Sequence, residues 1–208
     1  MLSPKGGSGK STISLNLARA LQLDGYSVVV ADSDIQGTAM SWSSIEKDDD
    51  FFSVYGISQK SMEREVNKAR DMFDFIIIDG SAKLEVKLLA SSIKASDLIL
   101  IPLRPSGADI WASEELVEGI KARQIILDGK PLAYFIVSSQ ITGTGMAVDV
   151  SEILSDYELP VLESRTSQRI SFAEALTDGV TVFERDRDGK AKGEIVNIKN
   201  EVLRILNG

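Results

Sequence analysis

Lys5-Gly6-Gly7-Ser8-Gly9-Lys10-Ser11-Thr12 is the stretch that decides the fold of this chain. Its closely spaced glycines let the backbone turn successive N–H groups inward around an anion, where any Cβ would intrude. Ile13, Leu17 and Leu21 follow at helical spacing and Gly25 is a natural stop, so the loop opens directly onto an amphipathic helix. The N-terminal dipole of that helix favours negative charge at the same place. The stretch from Gly6 through Gly7, Ser8, Gly9, Lys10 and Ser11 to Thr12 is therefore expected to bind the phosphates of a nucleotide. Lys10 would reach the outer phosphates and the Ser11 hydroxyl would ligate Mg²⁺.

Outward from the loop, short apolar runs alternate with helical stretches. Ser27–Ala31, Asp74–Ile78, Asp97–Leu103 and Leu132–Val137 are dense in Val, Ile and Leu and entered from a polar residue, the pattern of strands buried on both faces. Glu114 to Leu127 places Leu116, Ile120 and Leu127 on one side of a helix. Such alternation predicts an α/β chain with a three-layer P-loop NTPase fold: a mostly parallel central sheet with helices on both faces. No internal repeat or Gly/Ser/Pro-rich linker divides it, so residues 1–208 are expected to form a single domain. Lys192–Leu206 is amphipathic, but its acids alternate with its bases and no aromatic anchor is present, which favours a core-docking helix over a membrane-surface one. One irregularity stands out. A phosphate loop normally follows a buried strand, and only Met1–Pro4 precede this one. Either the start of the chain lies upstream of Met1, or another segment fills the central slot of the sheet.

Composition narrows the chemistry. With 208 residues, 43% of them hydrophobic and 26% charged, the chain suits one well-filled soluble domain. It contains neither cysteine nor histidine, which excludes disulfides, thiolate and imidazole metal sites and histidine acid–base catalysis. Any metal must sit among oxygen ligands, which suits Mg²⁺. No apolar run approaches the roughly 20 residues of a membrane span, and the N-terminus lacks a secretory pattern, so a cytoplasmic location without membrane contact is expected. The net charge of −8 argues against general attraction to nucleic acid while leaving room for a local basic patch.

Two strands deliver carboxylates to the place where parallel α/β sheets bind ligands. Val28-Val29-Val30-Ala31-Asp32-Ser33-Asp34-Ile35-Gln36-Gly37 and Phe75-Ile76-Ile77-Ile78-Asp79-Gly80 both end in aspartate. Asp79 is placed to hold a magnesium-bound water, Asp34 to orient the attacking water, and Asp32 to support Lys10 or the metal shell. The competing reading of each aspartate is a helix cap or turn residue. Without a histidine, no strong general base is on offer. Hydrolysis would rest on positioning and on charge neutralisation by Lys5, Lys10 and Mg²⁺, with slow basal turnover.

The pattern KGGxGK[ST], with Lys5 ahead of the first glycine, resembles the deviant Walker A ATPases, and the Asp32–Gln36 and Phe75–Gly80 segments look like that family's next two motifs. The resemblance implies that Lys5 crosses to the phosphates of a partner subunit in an ATP-dependent homodimer. Relatives that need cysteine, a tyrosine-rich tail or a basic membrane helix do not fit. The chain resembles most the small ParF-like members of the ParA-type partition ATPases, through Ile101–Ser106, Thr166–Arg169, Asp178-Gly179, Val182–Glu184 and Ala191–Ile195. That likeness implies ATP and Mg²⁺ as cofactors, nonspecific DNA as a partner, a centromere-binding adaptor protein that stimulates hydrolysis, and nucleoid association in a bacterium. It also implies that Pro105 lines the adenine pocket, and it makes Arg165, Arg169, Lys190, Lys192 and Lys199 candidates for a DNA-facing patch. The solvated-face reading competes for each of these cations, and Trp42 and Trp111 are expected to be packing residues. Two other functions share the motifs: a MinD-like or cargo-positioning ATPase without DNA binding, and a small-molecule ligase or kinase of the dethiobiotin-synthetase kind.

Overall fold

The computed structural model describes residues 1–45, 50–58, 60–80, 86–140, 154 and 157–208. Five strands, β1 (Val28–Asp32), β2 (Ser53–Gly56), β3 (Phe75–Asp79), β4 (Leu98–Leu103) and β5 (Leu132–Val137), pair in parallel throughout, in the order β2-β1-β3 and β4-β5. The central place between β3 and β4 is taken by Met1 and Leu2. The Met1 nitrogen donates to the Ile78 carbonyl at 2.8 Å, the Gly80 N–H donates to the Met1 carbonyl at 2.9 Å, and the Leu2 N–H donates to the Leu100 carbonyl at 3.0 Å. Two residues thus bridge the halves of the sheet. Among the described residues no other segment takes this slot, and the short run ahead of the loop itself fills its upper end. Beneath it lies an apolar cavity of about 490 Å³ lined by Leu17, Leu21, Ile76, Leu98 and Leu206.

Side-chain alternation in the strands explains why both faces are covered. Val28, Val30, Ile77, Leu100 and Ile136 point to one core, closed by α1 (Lys10–Leu23) and α9 (Lys190–Asn207). Ile99, Ile101, Leu103, Ala133, Phe135 and Val137 point to the other, closed by α4 (Val86–Ala95) and α6 (Glu114–Ile126). Beside that second core, α3 (Met62–Ala69) sets Met62 and Val66 against Ala31 and Ile78. The expected three-layer architecture is therefore present. Leu127 departs from expectation: α6 ends before it, and it is exposed while Leu116, Val117 and Ile120 are buried.

Edge strand β2 has no legible sequence pattern, since its four residues are half-buried or exposed rather than continuously apolar. α2 (Thr38–Ile45) is anchored instead by Trp42, which stacks on Phe52 at a centroid distance of 5.5 Å and donates its indole N–H to the Val180 carbonyl at 2.9 Å. The C-terminal helix docks on the core as its pattern predicts. Glu201 accepts the backbone N–H groups of Glu163 and Ser164 at 2.8 and 2.9 Å, and Lys199 pairs with Asp24 behind α1. The remaining helices named among the described residues are α5 (Gly107–Ala112), α7 (Ile170–Thr177) and α8 (Val182–Arg185).

Candidate nucleotide site

The loop after Leu2 turns through Gly7 (φ 73°) and Gly9 (φ 89°), left-handed positions that a side chain would strain, and Gly9 is the residue from which α1 starts. A Cβ built on Gly6 or Gly7 meets nothing within 4 Å. The loop therefore borders open space of the kind a phosphate group fills. The buried Ser138 hydroxyl, just beyond β5, donates to the Ser8 carbonyl at 2.7 Å and braces the loop from behind.

Lys10 is buried at the start of α1, and its ammonium donates to the Lys5 carbonyl at 3.2 Å. Burial pulls its pKa below the ordinary lysine value, against the opposing pull of Asp79 and Asp34. An electron-rich phosphate would relieve both conditions. Asp79 is fully buried. Its Oδ1 accepts from the Ser14 hydroxyl at 3.1 Å, whereas Oδ2 has no hydrogen-bond partner among the described residues. Burial raises its pKa to about 6, while the Ser11 hydroxyl and the α-ammonium of Met1 pull the other way. A buried carboxylate oxygen without a partner is costly, and one beside the Ser11 hydroxyl fits a hydrated Mg²⁺, which uses few protein ligands. Among the described residues no group of three or more His, Cys, Asp or Glu side chains is placed to hold a metal ion.

Asp32 lies opposite Asp79 in the β1–β3 register. Its two carboxylate oxygens accept the backbone N–H groups of Asp34 and Met40, both at 3.0 Å, so it shapes the turn after β1 and the start of α2. That is a turn-and-cap use of an aspartate, beside which its expected part in the metal shell stands as an expectation. Asp34 accepts from the Gln36 N–H at 3.1 Å and is close enough to Lys10 to raise its pKa. Lys5, Lys10, Ser11, Asp34 and Asp79 are brought together.

Sequence reading missed a second acidic centre. Asp109, buried in the first turn of α5, accepts from Lys5 Nζ, from Arg104 Nε at 2.9 Å and from the Arg104 backbone N–H at 3.2 Å. Burial acts to raise its pKa, but the hydrogen bonds from Arg104 and Lys5 outweigh it and hold the carboxyl below its ordinary range. This contact brings the Pro105 loop to the phosphate loop. The signal was present as Ser106-Gly107-Ala108-Asp109, a helix-start pattern: the Ser106 hydroxyl accepts the Asp109 N–H at 3.2 Å. Asn16 was also unforeseen; it accepts the Val182 N–H at 2.8 Å and fastens α8 to α1.

The candidate DNA-facing cations differ in exposure and in their partners. Arg165 and Lys192 are exposed, the latter with its ammonium 5.5 Å from the Phe183 ring. Lys190 is exposed and pairs with Asp188 at 3.2 Å, and Arg169 pairs with Glu194 at 2.7 Å. Lys199 is a correction: it is 7% exposed and paired with Asp24, because its place on α9 faces α1. Trp42 is a packing residue as expected, whereas Trp111 is 70% exposed beside Gly107. Among the described residues no helix is long and apolar enough to cross a membrane.

A glycine loop opening onto a helix, with buried carboxylates at the ends of parallel strands, defines a P-loop nucleotide-binding domain. Residues 1–186 match the CobQ/CobB/MinD/ParA nucleotide binding domain, and the chain belongs to that family. It is 28% identical over 203 residues to maintenance of carboxysome distribution protein A of Halothiobacillus neapolitanus, covering 96% of this chain and 93% of that protein. It is 24% identical over 141 residues to protein ParA of Rhizobium radiobacter, covering 67% of this chain and 63% of that one. In fold it is similar to MinD in the MinC:MinD cell division protein complex of Aquifex aeolicus, with a TM-score of 0.78, 17% identity and coverage of 97% and 93%.

Proposed function

We propose that the chain is a slow, partner-stimulated ATP hydrolase that alternates between a monomer and an ATP-bound homodimer in order to position a cargo. The observation that carries this reading is the buried, unpartnered Oδ2 of Asp79 beside Ser11 and Lys10, a geometry that asks for a magnesium–nucleotide complex. Ser11 and Asp79 would hold the ion, whose contribution when bound is to neutralise charge on the phosphates. Lys10 then contacts the outer phosphates, Asp34 orients water, Pro105 lines the base pocket, and Lys5 reaches the partner subunit's nucleotide.

Near full-length similarity to a protein named for carboxysome distribution supports cargo positioning over a small-molecule ligase or kinase. In this cycle the dimer holds nonspecific DNA of the nucleoid through Arg165, Lys190 and Lys192, and an adaptor protein on the cargo stimulates hydrolysis. The cargo is a centromere-like DNA site in the partition version and a protein body in the other.

The test is co-sedimentation with nonspecific duplex DNA in ATP, ADP or no nucleotide, beside Lys10→Ala and a direct nucleotide-binding measurement. ATP-dependent, salt-sensitive DNA binding that is lost in Lys10→Ala is the expected result. Normal nucleotide binding and dimerisation without DNA binding would remove the DNA role and leave a cargo positioner; absence of nucleotide binding would remove the whole reading.

A further inference from the structure

The amino ends of β4 and β5 border a groove that nucleotide chemistry leaves unused. It has a volume of about 410 Å³ and is walled by the last turns of α4 and α6. Ile93, Leu127, Pro131 and Leu206 supply apolar lining, and Lys94, Arg123 and Lys130 supply charge. We propose that this groove docks a short segment of a partner protein in which aliphatic side chains alternate with Asp or Glu. The phosphate loop and Asp79 lie past the carboxyl ends of the strands, at the opposite end of the sheet. The docking site therefore goes beyond the nucleotide reading and does not rest on it.

Charge is the first argument. Asp97 is the one carboxylate among the lining residues, and Arg70 already pairs with it at 3.3 Å. Lys94, Arg123 and Lys130 form no ion pair among the described residues. On a chain of net charge −8, three such cations around an apolar floor select an occupant that is both anionic and apolar.

The second argument is a donor without an acceptor. Arg123 Nε is buried and has no hydrogen-bond partner among the described residues, an unfavourable state for a charged group. The carbonyls close to it in sequence are engaged elsewhere. The Arg123 carbonyl accepts the Leu127 N–H at 3.1 Å, the Gln124 carbonyl accepts the Gly129 N–H at 2.8 Å, and the Leu127 carbonyl accepts the Lys130 N–H at 3.2 Å. The Pro131 carbonyl accepts the Gln124 side-chain amide at 2.7 Å. A carboxylate brought by a partner supplies the acceptor in a geometry that suits a guanidinium.

Cations in the last turn of a helix also complement its dipole, which accounts for the positions of Lys94 and Arg123. The dipole explains neither Lys130, which lies beyond both helices, nor the unsatisfied Nε. Ile126 and Leu127, at the end of α6 and just past it, are exposed, so apolar surface continues beyond the groove. That extension fits a segment of chain better than a single small carboxylate.

The experiment measures fluorescence anisotropy of a labelled peptide of alternating Leu and Glu added to the full chain, with Leu–Lys and Ser–Glu peptides of equal length as controls. The Leu–Glu peptide is expected to bind, more weakly as salt rises, and the two controls to bind at least about tenfold less tightly. Lys94→Glu combined with Lys130→Glu reverses two exposed charges and should weaken binding about tenfold or more. Lys60→Glu combined with Lys68→Glu, the same charge change on α3, should leave it unchanged. Circular dichroism and nucleotide binding accompany each variant. Equal loss in both double variants, or equal binding of the Ser–Glu peptide, overturns the inference, because attraction is then general and not seated in the groove. Binding of anionic lipid vesicles that depends on Lys94 and Lys130, without binding of the Leu–Glu peptide, overturns it in favour of a membrane surface. None of these failures touches the nucleotide site, so the proposed function stands or falls separately. A second measurement needs no variant: acylation of the wild-type lysines by an amine-reactive ester, with and without the Leu–Glu peptide. Selective protection of Lys94 and Lys130 supports the docking site, and unchanged acylation at both overturns it.

Discussion

The Ser138 hydroxyl, beyond the C-terminal end of β5, donates to the Ser8 carbonyl in the middle of the phosphate loop at 2.7 Å, across 130 positions of sequence. The loop is thus fixed from the β4–β5 half of the sheet as well as from α1. Ser138→Ala removes one buried hydrogen bond and leaves the Ser8 carbonyl without that donor. The expected loss is about 1–2 kcal/mol of stability, together with a several-fold weaker affinity for nucleotide. Chemical denaturation and equilibrium binding of a fluorescent ATP analogue measure the two effects. An unchanged affinity would show that the loop is organised by α1 alone.

Asp79 sets function against stability. Its folded-state pKa is raised to about 6 from the ordinary carboxyl value of 3.8, chiefly by burial. The folded state therefore binds a proton more tightly than the unfolded state. The favourable contribution of Asp79 is fully present below pH 3.8 and is lost as pH rises through about 6. Asp79→Asn is expected to be more stable than wild type by up to ~3 kcal/mol above pH 6, with the difference closing as pH falls below 4. It should also lose magnesium-dependent nucleotide binding. Thermal melts from pH 4 to 8, without nucleotide, test the sign.

Gly80 meets the chain start so closely that only glycine fits. A Cβ there would lie 2.5 Å from the Met1 carbonyl oxygen and closer still to Leu2 Cδ2. Gly80→Ala forces Met1 and Leu2 out of their place between β3 and β4, and the loop that follows moves with them. The expected cost is about 1–3 kcal/mol, read as a lower melting temperature, with faster amide exchange at Leu2. A neutral substitution would mean that the two residues contribute little to joining the sheet.

Trp42 joins α2 to the segment before α8 through a hydrogen bond as well as by packing. Trp42→Phe keeps an aromatic ring against Phe52 but leaves the Val180 carbonyl without its 2.9 Å donor. About 1–3 kcal/mol should be lost, and Trp42→Ala should lose about 3–5 kcal/mol through the added cavity. If denaturation midpoints for the two variants coincide, the indole N–H carries the whole interaction and the ring packing little.

Much of this protein was readable from local pattern. The phosphate loop needs glycine where φ is positive and lysine and serine at the helix start, so Gly7, Gly9, Lys10 and Ser11 identify themselves by residue type and spacing. Strands β1, β3, β4 and β5 are buried on both faces, which forces an apolar residue at nearly every position and makes each visible as a continuous run. Edge strand β2 escapes this logic, because only part of it is covered. Tertiary structure alone decided which polar groups meet. Nothing in the order of residues pairs Lys5 with Asp109, Ser138 with Ser8 or Lys199 with Asp24, since such contacts depend on where separate elements come to rest. It also decided that Asp32 shapes a turn while Asp79, its neighbour across the sheet, keeps an oxygen unpartnered. The two aspartates end their strands alike, and only the backbone N–H groups folded around each distinguish them. Hydrophobic periodicity is a property of one segment; the partner of a buried charge is a property of the packed whole.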